Sequence, residues 1–272
     1  MFGAGSQESQ GKRSGWARGA ARPERLIRRA AAVALAGAVL TGTAACGGSD
    51  DDRPGDKGTR GTAPTKAPGA AVPGALTEQQ LTAVAFTDGE KVGRYTASDY
   101  TLGAPLGEDY RADPAGCQPL VSLAEGATPY TPAAEVHRKV DVPDEMTGTT
   151  VAVQLRSYGT KAATEVMKAL GKAGKECAGG FTEIRAIAKA KYLKVEPAKA
   201  PAVGDESKAY RFTILDVKGK LKLYEYLTVV RSGSTTLSFR AEITDTKDIG
   251  GVPEEVITAQ WEKFSAEHDK GA

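Results

Sequence analysis

Between Tyr210 and Thr244 the chain carries three runs rich in β-branched and aromatic residues: Tyr210 to Val217, Lys222 to Arg231 and Thr235 to Thr244. Only Lys218-Gly219-Lys220 and Ser232-Gly233-Ser234 part them. Such runs favour strands, and short breaks around a glycine act as hairpin turns, so the last third reads as an antiparallel meander on which the rest must pack. A final helix begins at Pro253 with Glu254 and Glu255 in its first turn and ends near Lys270. It sets Val256, Ile257, Trp261 and Phe264 on one face, so Trp261 is expected to be buried, as a core anchor or as a ring lining a ligand cleft.

Upstream of the meander the pattern mixes both periods. Thr77 is placed to cap a short helix over 78–86, and a second short helix is expected over 115–124. Val136, Val140 and Val142 share one parity while His137, Lys139 and Asp141 share the other, which predicts a strand with one buried face and a solvated His137. Thr149, Val151, Val153 and Leu155 repeat the alternation. From Lys161 the period becomes helical, with Ala163, Val166, Met167, Leu170, Gly174 and Cys177 on one side and Lys161, Glu165, Lys168 and Lys172 around the rest. Met167 is expected as core filler. The sum is an α+β domain over residues 76–272, with helices packed on an antiparallel β-sheet.

The N-terminus has the parts of an export signal in order. Arg18, Arg22, Arg25, Arg28 and Arg29 precede an apolar run from Ala30 to Leu40, which ends in Thr41-Gly42-Thr43-Ala44-Ala45-Cys46. A membrane-spanning helix needs roughly 20 apolar residues, and this run is shorter, carries Gly37 and Gly42, and is followed by Asp50, Asp51 and Asp52. Small residues before a cysteine resemble the lipobox of bacterial lipoprotein precursors, although Thr43 stands where that motif usually has leucine. Residues 1–45 are therefore read as a lipoprotein signal peptide and Cys46 as the lipidated residue. An ordinary secretory signal cut near Ala45 is the competing reading, and Arg28-Arg29 leaves Sec and twin-arginine export both open. Residues 1–45 hold seven Lys or Arg against Glu8 and Glu24, a net of +5; the whole chain is +2, which leaves −3 for the remainder. The basic charge belongs to the export signal and gives no case for nucleic-acid binding. Residues 46–75, dominated by small and polar residues with Pro54, Pro64, Pro68 and Pro73, are expected to form a disordered tether.

With Cys46 lipidated, Cys117 and Cys177 are the two cysteines left. An oxidising compartment favours a disulfide between them, pinning two helices across about 60 residues, for about 4 kcal/mol. A redox role lacks support, because no Cys-x-x-Cys motif is present. The chain has two histidines, His137 and His268, and neither sits in a catalytic or metal-ligand pattern; no Gly-x-Ser-x-Gly elbow and no phosphate cradle appears. No catalytic residue, metal site or cofactor is expected.

A cysteine-bearing helix ending at Cys177, the turn Val203-Gly204-Asp205-Glu206-Ser207 before a strand, and Val229-Val230-Arg231-Ser232-Gly233 closing another resemble the PknH-type extracellular sensor domains of actinobacterial kinases and their free-standing lipoprotein relatives. That family typically has two disulfides around a cleft, whereas this chain can form one. The resemblance implies a non-enzymatic α+β domain presenting a cleft to an extracytoplasmic ligand, and it assigns no ligand-binding residue. Two functions are open: a lipid-anchored, ligand-binding or sensor-like domain outside the cytoplasm, or a partner-binding module of the cell envelope using a sheet edge or an apolar patch.

Overall fold

A computed structural model describes residues 72–268, apart from 102, 106–109, 126–129, 144–147, 160, 186–187, 217 and 244–245. By its contacts the chain divides into Met1–Pro64 and Thr65–Ala272, and every described residue belongs to the second unit. The expected signal segment, Cys46 and most of the expected tether lie outside the described residues.

The meander is present and is the middle of something larger. Strands β8 (Glu206–Leu215), β9 (Lys222–Ser232) and β10 (Thr235–Ile243) pair antiparallel, with Thr235 opposite Ser232 across a tight turn at Gly233, φ +55°. On one side β10 pairs with β5 (Thr149–Ser157), then β4 (Ala134–Asp141), β2 (Tyr95–Ser98) and β1 (Lys91–Val92). On the other, β8 pairs with β7 (Lys189–Pro197), then β6 (Phe181–Ile184) and β3 (Arg111–Asp113). The result is one ten-stranded, wholly antiparallel sheet whose outermost strands are only two and three residues long.

Helices cover both faces. Helix α1 (Glu78–Val84) starts at a capping box: the Thr77 hydroxyl accepts from the Gln80 N–H at 3.2 Å and the Gln80 side chain accepts from the Thr77 N–H at 2.9 Å. With α4 (Glu254–His268) it buries Leu81, Val84, Val256, Ile257 and Phe264 against Val136, Val151, Val153, Leu155, Leu237 and Phe239. Gln260, fully buried on α4, accepts from the Phe86 N–H at 3.1 Å and donates to the Val84 carbonyl at 2.7 Å, satisfying two backbone groups where α1 ends. The opposite face holds α3 (Ala162–Glu176) and α2 (Gln118–Glu125), the latter preceded by a 3-10 turn over Ala115–Cys117 where the sequence predicts a continuous helix. Met167 is fully buried there, and Gly174 lies where a Cβ would come within 2.3 Å of the Tyr210 ring, so no larger residue fits without moving that ring. Cys117 and Cys177 form the disulfide, with Cα atoms 5.9 Å apart.

Two expectations are corrected. His137 is 7% exposed, hence buried, because the sheet is covered on both faces and the polar parity of β4 points at the α2/α3 side instead of at water. Trp261 is half-buried: Val256, Ile257, Gln260 and Phe264 take the sheet-facing arc of α4, and Trp261 packs at its edge, 5.9 Å between ring centres from Phe264. Both cores, the disulfide and all ten strands lie within residues 76–264, so residues 72–272 carry what this fold requires.

Candidate functional site

Side chains alternate across a strand, so the residues between the core-facing apolar side chains of β4, β5 and β10 point to the α2/α3 face. The pairing sets Glu135, Arg156 and Thr236 in one row and His137, Gln154 and Ser238 in the next, with Arg240 one step further along β10. These side chains are polar, and Arg156, Gln154, Ser238 and Arg240 are at most 3% exposed. Burying charge costs several kcal/mol per ion unless it is paired, and here it is paired twice over.

The first group centres on Arg240, which pairs with Glu225 and also donates to the Tyr192 hydroxyl. Tyr192 lies 3.2 Å from Glu183 Oε2 and 3.1 Å from Glu225 Oε2, bridging two carboxylates of separate strands. Arg185 Nε donates to Glu183 at 2.6 Å and stacks over the Tyr110 ring at 4.5 Å. Burial pushes the Glu225 carboxyl up to about 7, against the attraction of Arg240 and with the help of Glu242 and Glu183, and it raises the Tyr192 hydroxyl well above its ordinary value. In the second group Arg156 Nε donates to Glu135 at 2.9 Å, with His137 Nε2 3.6 Å from the same carboxylate oxygen and Gln154 3.4 Å from His137 Nδ1. Hydrogen bonding to His137, with Arg156 adding its charge, holds Glu135 down at about 2. Sequence reasoning missed this face because each member looks like the wet side of a half-buried strand. Even Arg240 sits in the strict alternation Leu237-Ser238-Phe239-Arg240-Ala241-Glu242-Ile243, which reads as a strand with one wet face.

The opposite face offers an open groove of about 510 Å³ between the start of α4, the segment after β10 and the loop after β7. Tyr95, Val252 and Ile257 are buried in its lining, Gly250-Gly251 form one wall, and Arg94, Lys199 and Glu254 bring charge. Tyr226, fully buried, fixes that wall. Its hydroxyl donates to Asp248 and accepts from the Ile249 and Gly250 N–H groups at 2.9 and 3.2 Å. Asp248 also takes Arg211, whose second ion pair reaches Glu196 at 2.6 Å. Burial, with Asp248 beside it, pushes the Tyr226 hydroxyl to about 12, so it remains a donor at any physiological pH. The volume falls within the range of small-molecule sites, roughly 300–1,000 Å³.

Among the described residues no three His, Cys, Asp or Glu side chains converge as a metal site. Two of the three features quoted for the family resemblance, the turn at Val203–Ser207 and the segment Val229–Gly233, meet in space. Gly204, φ +70°, turns the chain so that the Asp205 carboxylate accepts from both Arg231 and the Gly233 N–H at 2.8 Å.

No protein-family profile and no curated protein sequence matches the chain. Among solved structures, the extracellular domain of PknH from Mycobacterium tuberculosis is similar over 72% of this chain and 98% of that one, at 12% identity and a TM-score of 0.47. An uncharacterized protein of Mycobacterium smegmatis, an Rv0999 ortholog, is similar over 73% and 98%, at 16% identity and a TM-score of 0.34. The chain resembles a PknH-type extracellular domain, as its sequence leads one to expect, and a likeness of this size brings no residue, ligand or partner with it.

Proposed function

We propose that this chain is an extracytoplasmic lipoprotein, held on the outer face of a membrane through Cys46, whose domain binds a small amphiphilic anion without transforming it. The groove on the α1/α4 face carries this reading. Its buried apolar lining suits a hydrocarbon body, and Arg94 and Lys199 against the single Glu254 suit a negative head. No Ser, Cys or His is among its lining residues, and the carboxylates with the most displaced pKa values, Glu225 and Glu135, belong to the opposite face. A binding role therefore fits better than acid–base or nucleophilic chemistry. Strand addition at an edge, one form of the partner-binding alternative, is disfavoured by outer strands of two and three residues.

Native mass spectrometry of residues 72–272 with decyl phosphate as the probe tests the groove. A one-to-one adduct is expected, and Gly251→Phe should abolish it. A Cβ at Gly251 meets nothing within 4 Å, so a bulky side chain on this lining residue is accommodated without disturbing the fold and narrows the groove. No adduct, or an adduct indifferent to Gly251→Phe, would overturn the assignment.

A further inference from the structure

The α1/α4 helices cover only part of their face. The core they build includes no residue of β3, β6, β7 or β8, so among the described residues the packed core of this face ends at β9, and the segment after β10 reaches β8 through Asp248 on Arg211. Register shows what the sheet presents at that end. Lys191 pairs with Leu215 and Leu215 with Lys222, so these three form one row across β7, β8 and β9, which runs on through Thr182 of β6 to Asp113 of β3. Directly paired residues share a face, and this one is opposite to Tyr192 and Phe212, which point into the other core. The neighbouring row on the same face is Arg111, Ile184 and Lys189. Beyond Lys222 the β8–β9 hairpin adds Lys218 and Lys220 around Leu221, which is 53% exposed. Arg111, Lys189, Lys191, Lys218, Lys220 and Lys222 are all exposed; Asp216, which accepts from the Lys220 and Leu221 N–H groups and attracts Lys218, is the acidic neighbour within the hairpin.

We propose that this end of the sheet, with its cluster of exposed cations and the leucine at the hairpin tip, docks onto an anionic lipid surface. Three observations select a membrane over other polyanions. The surface is a sheet face and not a cleft, and suits an extended partner. Its cations are interleaved with Ile184, Leu215 and the projecting Leu221, which a soluble polyanion would leave in water but an interfacial layer would cover. The mature charge of −3 makes the local excess a property of this patch and not of the molecule. Geometry permits it: Gly74 is bound to Ser234 at the far end of β9 from the tip, about 33 Å away. The stretch from Cys46 to Gly74 can reach at most about 90 Å, so an anchored domain could lay the tip on its own membrane.

The test uses residues 72–272, which lack Cys46, so its outcome is independent of lipidation, and Gly251→Phe, which alters the groove and lies off this patch, should leave vesicle binding unchanged, which separates the two surfaces. Sedimentation is measured with vesicles of equimolar phosphatidylglycerol and phosphatidylcholine and with phosphatidylcholine alone. Binding is expected to the mixed vesicles only, to weaken with salt, and to fall on the order of a hundredfold in Lys189→Ala/Lys191→Ala/Lys222→Ala, at roughly fivefold per lysine. Leu221→Ser should weaken it about tenfold, and the control Lys168→Ala/Lys172→Ala on α3 should change nothing. Equal binding to both vesicles, or a wild-type result from the triple variant, would overturn the proposal. So would full competition by soluble polyphosphate with Leu221→Ser unaffected, which would make the patch a general polyanion site.

Discussion

Glu225 makes the stability of this domain depend on pH in an uncommon direction. Its carboxyl is shifted from an ordinary 4.5 to about 7, chiefly by burial, with Glu242 and Glu183 adding to the effect and Arg240 opposing it. The native state holds this proton more tightly than the unfolded chain does. The stabilisation is complete below about 4.5 and is lost as pH rises through about 7. A shift from 4.5 to about 7 corresponds to about 3 kcal/mol, a large share of a domain's stability. The other shifted carboxylates, Glu90, Glu135, Glu196, Asp216 and Asp248, all move downward, so they add stability as pH rises toward 4.5 and leave the window above it to Glu225. Urea unfolding of residues 72–272 should therefore give a midpoint that falls between pH 4.5 and 7 in the wild type. Glu225→Gln imitates the protonated carboxyl and leaves Arg240 facing Glu183 and Glu242, so its midpoint should be flat across the same window. A wild-type midpoint that rises with pH there, or a fall that persists in Glu225→Gln, would refute the assignment of the proton to this network.

Removing the Cys117–Cys177 bond by Cys117→Ala/Cys177→Ala should cost about 4 kcal/mol in equilibrium unfolding, and thiol counting on the unfolded, unreduced wild-type domain should find no free cysteine. Gln260→Leu should cost about 1–3 kcal/mol in the same assay, because the Phe86 N–H and the Val84 carbonyl are left buried without their partner. Phe264→Ala, at a site 1% exposed, should cost about 3–5 kcal/mol. Trp261→Ala should cost less than Phe264→Ala; the reverse order would mean that α4 is rotated from its described setting.

How much of this was legible in the sequence depended on whether local pattern and tertiary setting agreed. The N-cap at Thr77, the helix from Ala163 to Cys177 and the hairpin at Gly233 were readable because each is decided within a few residues. Strand β7 was not. A bulge between Tyr192 and Lys194 breaks its alternation, so Tyr192 and Val195 face the same core three residues apart, and four charges in nine residues hide the rest. Strands β1, β2 and β3 are too short to carry a period at all. His137 and Trp261 were misjudged for one reason: strand or helix periodicity says which side chains share a face, while burial is decided by what is packed against that face. The same gap hid the ionic network, since Glu183, Glu225 and Arg240 converge from β6, β9 and β10. The groove depended on the segment after β10 crossing the sheet to Tyr226, 22 residues from Asp248 in sequence, and no local signal announces that contact.

Placement outside the cytoplasm on a lipid rests on Cys46, and one measurement tests it most directly. Cells expressing the full chain are grown with an azide-bearing fatty acid, and the envelope protein is isolated and coupled to a fluorophore. The wild type should be labelled and fractionate with membranes, because two acyl chains anchor stably, at about 0.8 kcal/mol per buried CH₂. Cys46→Ser should be unlabelled and released from the membrane fraction, whereas equal labelling of both proteins, or none of either, would contradict the account.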